Sequence, residues 1–210
     1  MESNCRVCLY GQIAALRRCW HIRDPFDPFL IADTLPGVEL YETPFASAGL
    51  RGLLVTSHDK SGARIILNAR RSAEEQMFDL SHELVHFALH PPTDTVHGYS
   101  PFMEWQANEG AAELLLPRTL LLHLLAETRE RIRSPYDASR LIQSLARRQG
   151  IRESVIRWRV WSLRQDAALV LAGTDPDCIP LLPQRRYPSV SPGPVLWFFP
   201  SGHIPASVIQ

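Results

Sequence analysis

Apolar residues between Leu9 and Trp20 recur at helical spacing, which predicts an amphipathic helix ending near Arg18. A Pro-broken turn (Asp24, Pro25, Phe26, Asp27, Pro28) then leads into a short predicted helix from Leu30 to Leu35. Val38 to Tyr41 reads as a strand. Leu50 to Thr56 and Ala63 to Leu67 are apolar and β-branched runs, and Asp59, Lys60, Ser61 and Gly62 between them supply turn chemistry, so a β-hairpin is expected. From Ser72 the period becomes helical until Pro91 and Pro92 stop it after His90. Met77, Phe78, Leu80, Leu84, Val85, Phe87, Ala88 and Leu89 cover nearly every direction around that helix, which marks it as buried. The excepted stripe carries His82 and His86.

Further helices are predicted over Glu104 to Leu116, over Leu120 to Ile132 with Thr119 as cap, over Ala138 to Gln149 and over Arg152 to Gln165. Residues 176–205 hold eight of the 17 prolines, which excludes a long helix and predicts short strands such as Pro194 to Phe199. The fold class expected is α+β, mostly helical, with a small antiparallel sheet ahead of the buried helix and a helix-turn-helix-like segment after it.

Composition sharpens this picture by exclusion. The 22 basic and 22 acidic residues cancel, which removes any whole-molecule electrostatic argument for nucleic acid or membrane binding. No apolar run approaches the roughly 18 residues that a membrane helix needs, and the first residues lack the pattern of a signal peptide, so a cytoplasmic protein with reduced thiols is expected. Four cysteines are too few for a disulfide scaffold. Cys5 and Cys8 form a CxxC followed by Cys19 and His21, but no second CxxC follows, and a helix bearing small apolar thiols is the simpler account.

The candidate chemistry lies in His82-Glu83-Leu84-Val85-His86, an HExxH. Residues four apart share a helix face, so two imidazoles can converge on one zinc ion while the glutamate between them reaches a water beside it. Two histidines on the polar stripe of an apolar helix need buried partners, and a shared metal supplies both at once. A third ligand is then required. Leu89 and Pro92 occupy the positions where a metzincin has glycine and histidine, and His90 lies about 12 Å along the axis from His82 at ~1.5 Å per residue, too far to share one ion with both. Its expected role is to stabilise the helix C-terminus. Of the carboxylates on the next helix, Glu104 projects onto the inward face with Ala107, Asn108 and Ala111, whereas Glu109 and Glu113 fall on the opposite, solvated side. Asn108 is placed to hydrogen-bond a ligating histidine or Glu104 itself.

The run ARIILNARRSAEEQMFDLSHELVHFALH (63–90), followed by EWQANEGAAELLLP (104–117), resembles the ImmA/IrrE family of metallopeptidases: a strand ending in Asn, an Arg-rich helix start, a Phe before the HExxH, a trailing Leu, then E-x-x-A-N-x-x-A-A-x-L-L-x-P. Two separated motifs agree in order. The departures are Gly110, where phenylalanine is common, and Gln106, where a second acidic residue often stands.

The resemblance implies a thermolysin-like, zincin-like core with His82, His86 and Glu104 as zinc ligands and Glu83 as the catalytic glutamate. It also implies a protein substrate, since members cleave the repressors of mobile elements or regulate stress resistance, many beside a helix-turn-helix repressor. The chain is divided accordingly into a metallopeptidase core (1–125), a helix-turn-helix-like segment (126–166) and a Pro-rich tail (167–210). Tyr99, His97 and His203 are candidates for holding an oxyanion. The strand Arg64 to Leu67 is expected to offer an edge for an extended substrate.

A competing reading rests on residues 129–164, where ten arginines face only Glu130, Asp137 and Glu153 and where Ala146, Gly150 and Ile156 have helix-turn-helix spacing. Direct DNA binding, or control by contact as a repressor-docking or antitoxin-like partner around a structural zinc, would follow. Trp158 and Trp161 read instead as core or docking residues. The oligomeric state is not encoded legibly.

Overall fold

The computed structural model describes residues 6–47, 49–56, 62–90, 100–181 and 193–199. Two compact units emerge: Cys8–Leu115, and Leu116–Gln210 joined by Arg6 and Val7.

In the first unit, helix α1 (Arg6–Cys19) and the short α2 (Pro28–Thr34) precede three strands, β1 (Val38–Thr43), β2 (Gly52–Thr56) and β3 (Ala63–Asn68), and then α3 (Ala73–Leu89) and α4 (Pro101–Leu115). Asp27 caps α2 by accepting from the Phe29 and Leu30 amides, with Pro28 pre-setting the first turn. The sheet order is β1-β3-β2. The expected hairpin is present, with Gly52 opposite Leu67 and Thr56 opposite Ala63, and β1 adds to it in parallel from Val38–Ala63 to Thr43–Asn68. Strand β3 is therefore central and paired on both sides. That corrects the expectation that Arg64 to Leu67 offers a free edge: the hydrophobic run marks a strand buried between neighbours, with Ile65 and Leu67 fully enclosed.

Asn68, which ends β3, ties the surrounding turns together. Its side-chain amide donates to the Leu50 carbonyl, and its carbonyl oxygen accepts from the Phe45 and Arg70 amides. Gln76 of α3 donates to the Asn68 backbone carbonyl, which fixes the strand-to-helix junction. Helix α3 begins with a reciprocal capping box between Ser72 and Glu75. Arg71 pairs with the buried Asp79 two turns into the helix.

Leu80, Leu84 and Val85 of α3 meet Ala107, Ala111 and Leu114 of α4, all with no measurable exposure. The close approach depends on Gly110, where a β-carbon would sit 3.1 Å from both Ile13 Cδ1 and Val85 Cγ1. The departure from the family pattern at this position is thus compensated by side chains of α1 and α3 filling the space. Glu109 and Glu113 are buried as well, which overturns the solvated face expected of them. The Tyr10 hydroxyl of α1 donates to Glu109. Helical projection located the inner face of α4 but could not reveal that α1 covers the outer one.

The second unit contains α5 (Arg118–Thr128), α6 (Pro135–Gln149), α7 (Glu153–Ser162) and α8 (Arg164–Leu171). Ser134 caps α6 and Gly150 closes it with φ 64°, a left-handed conformation that glycine adopts without a Cβ penalty. The helix expected over Arg152 to Gln165 breaks at Leu163, and the segment beyond continues as α8. A strand was expected over Pro194 to Phe199, but Gly193–Phe198 form a 3-10 turn. Phe199 meets Trp161 edge-on at 5.4 Å between ring centroids. The apolar residues there had suggested a strand, but no partner strand exists among the described residues of this unit, so they pack as a helical turn instead.

Three arginines of this unit are engaged within it rather than held out as free cations. Arg159 is fully buried and donates to the Leu116 carbonyl, and Arg157 donates to Phe198 and to Glu153. Arg118 and Asp166 form a buried ion pair at 2.6 Å, and Arg118 also donates to the Ile179 carbonyl. No helix among the described residues is long and apolar enough to cross a membrane.

Candidate metal centre

Helix α3 places His82 and His86 one turn apart, and α4 brings Glu104 across to both. The two Nε2 atoms lie 3.0 Å apart. Glu104 Oε2 is 3.4 Å from His82 Nε2, and Oε1 is 3.5 Å from His86 Nε2. Taking one donor atom from each residue, all lie within 4.8 Å. Donors about 2.0–2.2 Å from a tetrahedral ion stand about 3.3 Å from one another, so this spacing suits a zinc-sized cation. The chemistry of the set agrees, since two imidazoles and a carboxylate are borderline donors that leave a fourth position open. Among the described residues, these three form the group that could hold a metal.

Protonation favours the same use. Burial, followed by the neighbouring His82, pushes His86 down to about 3, so its ring is neutral and has a lone pair to give. Hydrogen bonding from His82 holds Glu104 below the usual carboxylate range and keeps it anionic. Glu83 is different. It lies beside the pair on α3 with only 7% of its surface exposed, and burial, aided by the Glu104 and Asp79 carboxylates, raises it to about 7 against the opposing pull of His82. A carboxyl group poised near neutrality can both take and return a proton.

The loop side of Glu83 is formed by Gly52 at the start of β2. A β-carbon at Gly52 would stand 2.8 Å from Glu83 Oε1 and 3.1 Å from Cγ. The glycine is thus the space that the carboxylate occupies. Nothing in the sequence pattern of a short strand distinguishes this glycine from one that merely starts it.

Asn108 meets one of its two expected partners, Glu104, but through the backbone rather than the carboxylate. It donates to the backbone carbonyl of Glu104 at 2.9 Å, a bond within α4 that leaves the carboxylate and the histidines to others. On its other side His86 meets His90, whose Nδ1 lies 2.8 Å from His86 Nδ1, while His90 Nε2 lies 3.1 Å from Gln106 Oε1. His90 is the helix C-cap, but its ring is buried and held below its ordinary value by desolvation, so it is not the cation expected at a helix C-terminus. The spacing of four between His86 and His90 was the available signal.

Of the other candidates, Tyr99, His97 and His203 lie outside the described residues, as does Cys5. Cys8 and Cys19 are exposed free thiols.

Residues 34–160, more than half of the chain, match the model of the Peptidase_M78 family, described as the IrrE N-terminal-like domain. No curated protein matches the chain.

Proposed function

Because the chain belongs to the family of the IrrE N-terminal-like domain, which supports a metallopeptidase-type function, we propose that it is a zinc-dependent endopeptidase that inactivates a regulatory protein, a helix-turn-helix repressor, by cleavage at one site. The observation that supports this most is the convergence of His82, His86 and Glu104 beside a glutamate raised to about 7. A structural zinc has no use for such a glutamate, whereas hydrolysis does.

In this reading His82 and His86 offer Nε2 and Glu104 a carboxylate oxygen to the zinc ion. When bound, zinc supplies the Lewis acidity that activates water and polarises a carbonyl. Glu83 takes the proton from the attacking water and passes it to the leaving amine. Gly52 leaves room for that carboxylate. An extended substrate segment adds to β2, the strand beside Glu83, rather than to the enclosed β3. The protein acts in the cytoplasm, where the exposed thiols of Cys8, Cys19 and Cys178 stay reduced. Direct DNA binding takes second place, because Arg159 is buried and Arg157 is engaged by Phe198 and Glu153.

Mass-spectrometric mapping of new protein N-termini in cells producing the wild type or Glu83→Gln tests the reading. A small set of cuts, confined to the wild type and falling in a regulator, is expected. Identical termini in both would exclude proteolysis as the mode of action.

Gly52→Ala should lower kcat/KM by roughly tenfold or more while zinc content stays unchanged, because a carboxylate displaced by about an ångström loses its line to the proton. Zinc analysis beside peptide hydrolysis checks this. Loss of zinc together with activity would show that Gly52 supports the whole site rather than Glu83.

A further inference from the structure

Hydrogen-bond bookkeeping around His86 determines which of its nitrogens bears the proton. Gln106 Oε1 can only accept, so His90 Nε2, 3.1 Å away, is the donor in that contact. A neutral His90 then has its lone pair on Nδ1. That atom faces His86 Nδ1 at 2.8 Å, so His86 must donate from Nδ1 and present a bare Nε2 to His82 and Glu104. Reversing the Gln106 amide would reverse every step, leaving a proton on His86 Nε2 where a ligating lone pair is needed.

We propose that Gln106 and His90 form a positioning relay, acting through two consecutive imidazole contacts, that fixes His86 in the tautomer able to bind metal through Nε2. The relay rests on the zinc reading for its purpose but not for its existence, since the tautomers are set in the metal-free protein. It spans α3 and α4, so it also couples the orientation of His86 to the packing of the helix that supplies Glu104. A neutral amide does here what an acidic residue at position 106 could do by accepting alone. Partners behind metal-ligating histidines typically alter affinity by about 10–100-fold when removed.

The test uses the metal-free full chain labelled with 15N at histidine. Long-range 1H–15N correlation should show His86 protonated at Nδ1 and bare at Nε2, with His90 protonated at Nε2. Gln106→Met, which removes the acceptor at similar volume, should mix the tautomers of both rings and weaken zinc binding by about 10–100-fold in chelator competition. Gln106→Glu, an acceptor only, should restore the wild-type tautomers and affinity. A wild-type His86 carrying its proton on Nε2 would overturn the relay, as would a Gln106→Met protein with unchanged tautomers and affinity. If the wild type shows the expected tautomers but takes up no zinc, the relay stands and the metal reading fails.

Discussion

Glu83→Gln is expected to keep its zinc and lose hydrolysis by about 10²–10⁴-fold, the range associated with removing a positioned proton-transfer group. None of the three proposed ligands is touched, and the amide occupies the same space beside Gly52. The same substitution has a second signature in the metal-free protein. Burial raises the Glu83 carboxyl from 4.5 to about 7, so between those values the unfolded chain has released a proton that the folded one still holds. Stability from this group therefore falls as pH rises from 4.5 to about 7, by about 3 kcal/mol at ~1.4 kcal/mol per unit, and stays low above. Glutamine cannot ionise, so metal-free Glu83→Gln should be the more stable protein at pH 8 and should match the wild type near pH 4. His86, depressed to about 3, works in the opposite direction: stability is lost in both proteins as pH falls below 6.5. The difference between their denaturation curves isolates Glu83. Hydrolysis that survives in the variant would remove Glu83 from the chemistry.

Asp166→Ala is expected to destabilise the second unit by about 3–5 kcal/mol, because it leaves the Arg118 guanidinium buried without its carboxylate. Asp166 Oδ1 already lacks a hydrogen-bond partner, so the pair is not an optimal one and its value lies in mutual neutralisation. A double variant, Arg118→Met with Asp166→Leu, should therefore cost less than Asp166→Ala alone. Thermal and urea unfolding of the three proteins decides this. A single variant as stable as the wild type would mean that Arg118 is held by other groups, its bond to the Ile179 carbonyl among them.

How far the sequence spoke depended on the range of the interaction. The contact between His82 and His86 is local to one helix, so the HExxH spacing was enough to bring their Nε2 atoms together, 3.0 Å apart. Glu104 was legible because one projected face of α4 was rich in alanine, and that face does pack on α3. Glu109 was misplaced because its burial involves α1, about a hundred residues earlier, whose Tyr10 donates to it; Glu113, one turn on, is buried with it. The central position of β3 was hidden for a related reason: hairpin chemistry announces β2 with β3, but the parallel pairing of β1 is non-local. Asn108 was placed by helix face, which led to Glu104, but its amide bonds the Glu104 backbone carbonyl within the same helix rather than the carboxylate. Gly52 could be recognised only once Glu83 was seen in the space its side chain would need.

Glu83, Asp79, His86 and His90 are buried polar groups, and the cost of burying Asp79 and the histidines is offset by contacts with Arg71, Gln106 and Glu104. A cation at the centre would relieve the remaining repulsion between the Glu83 and Glu104 carboxylates.

The most direct test is zinc stoichiometry in wild type and Glu104→Ala purified side by side, with the fold of each checked by circular dichroism. One bound zinc per wild-type chain, and a folded variant that retains little after dialysis, is the predicted result. A folded Glu104→Ala protein that keeps a full equivalent of zinc would contradict the account.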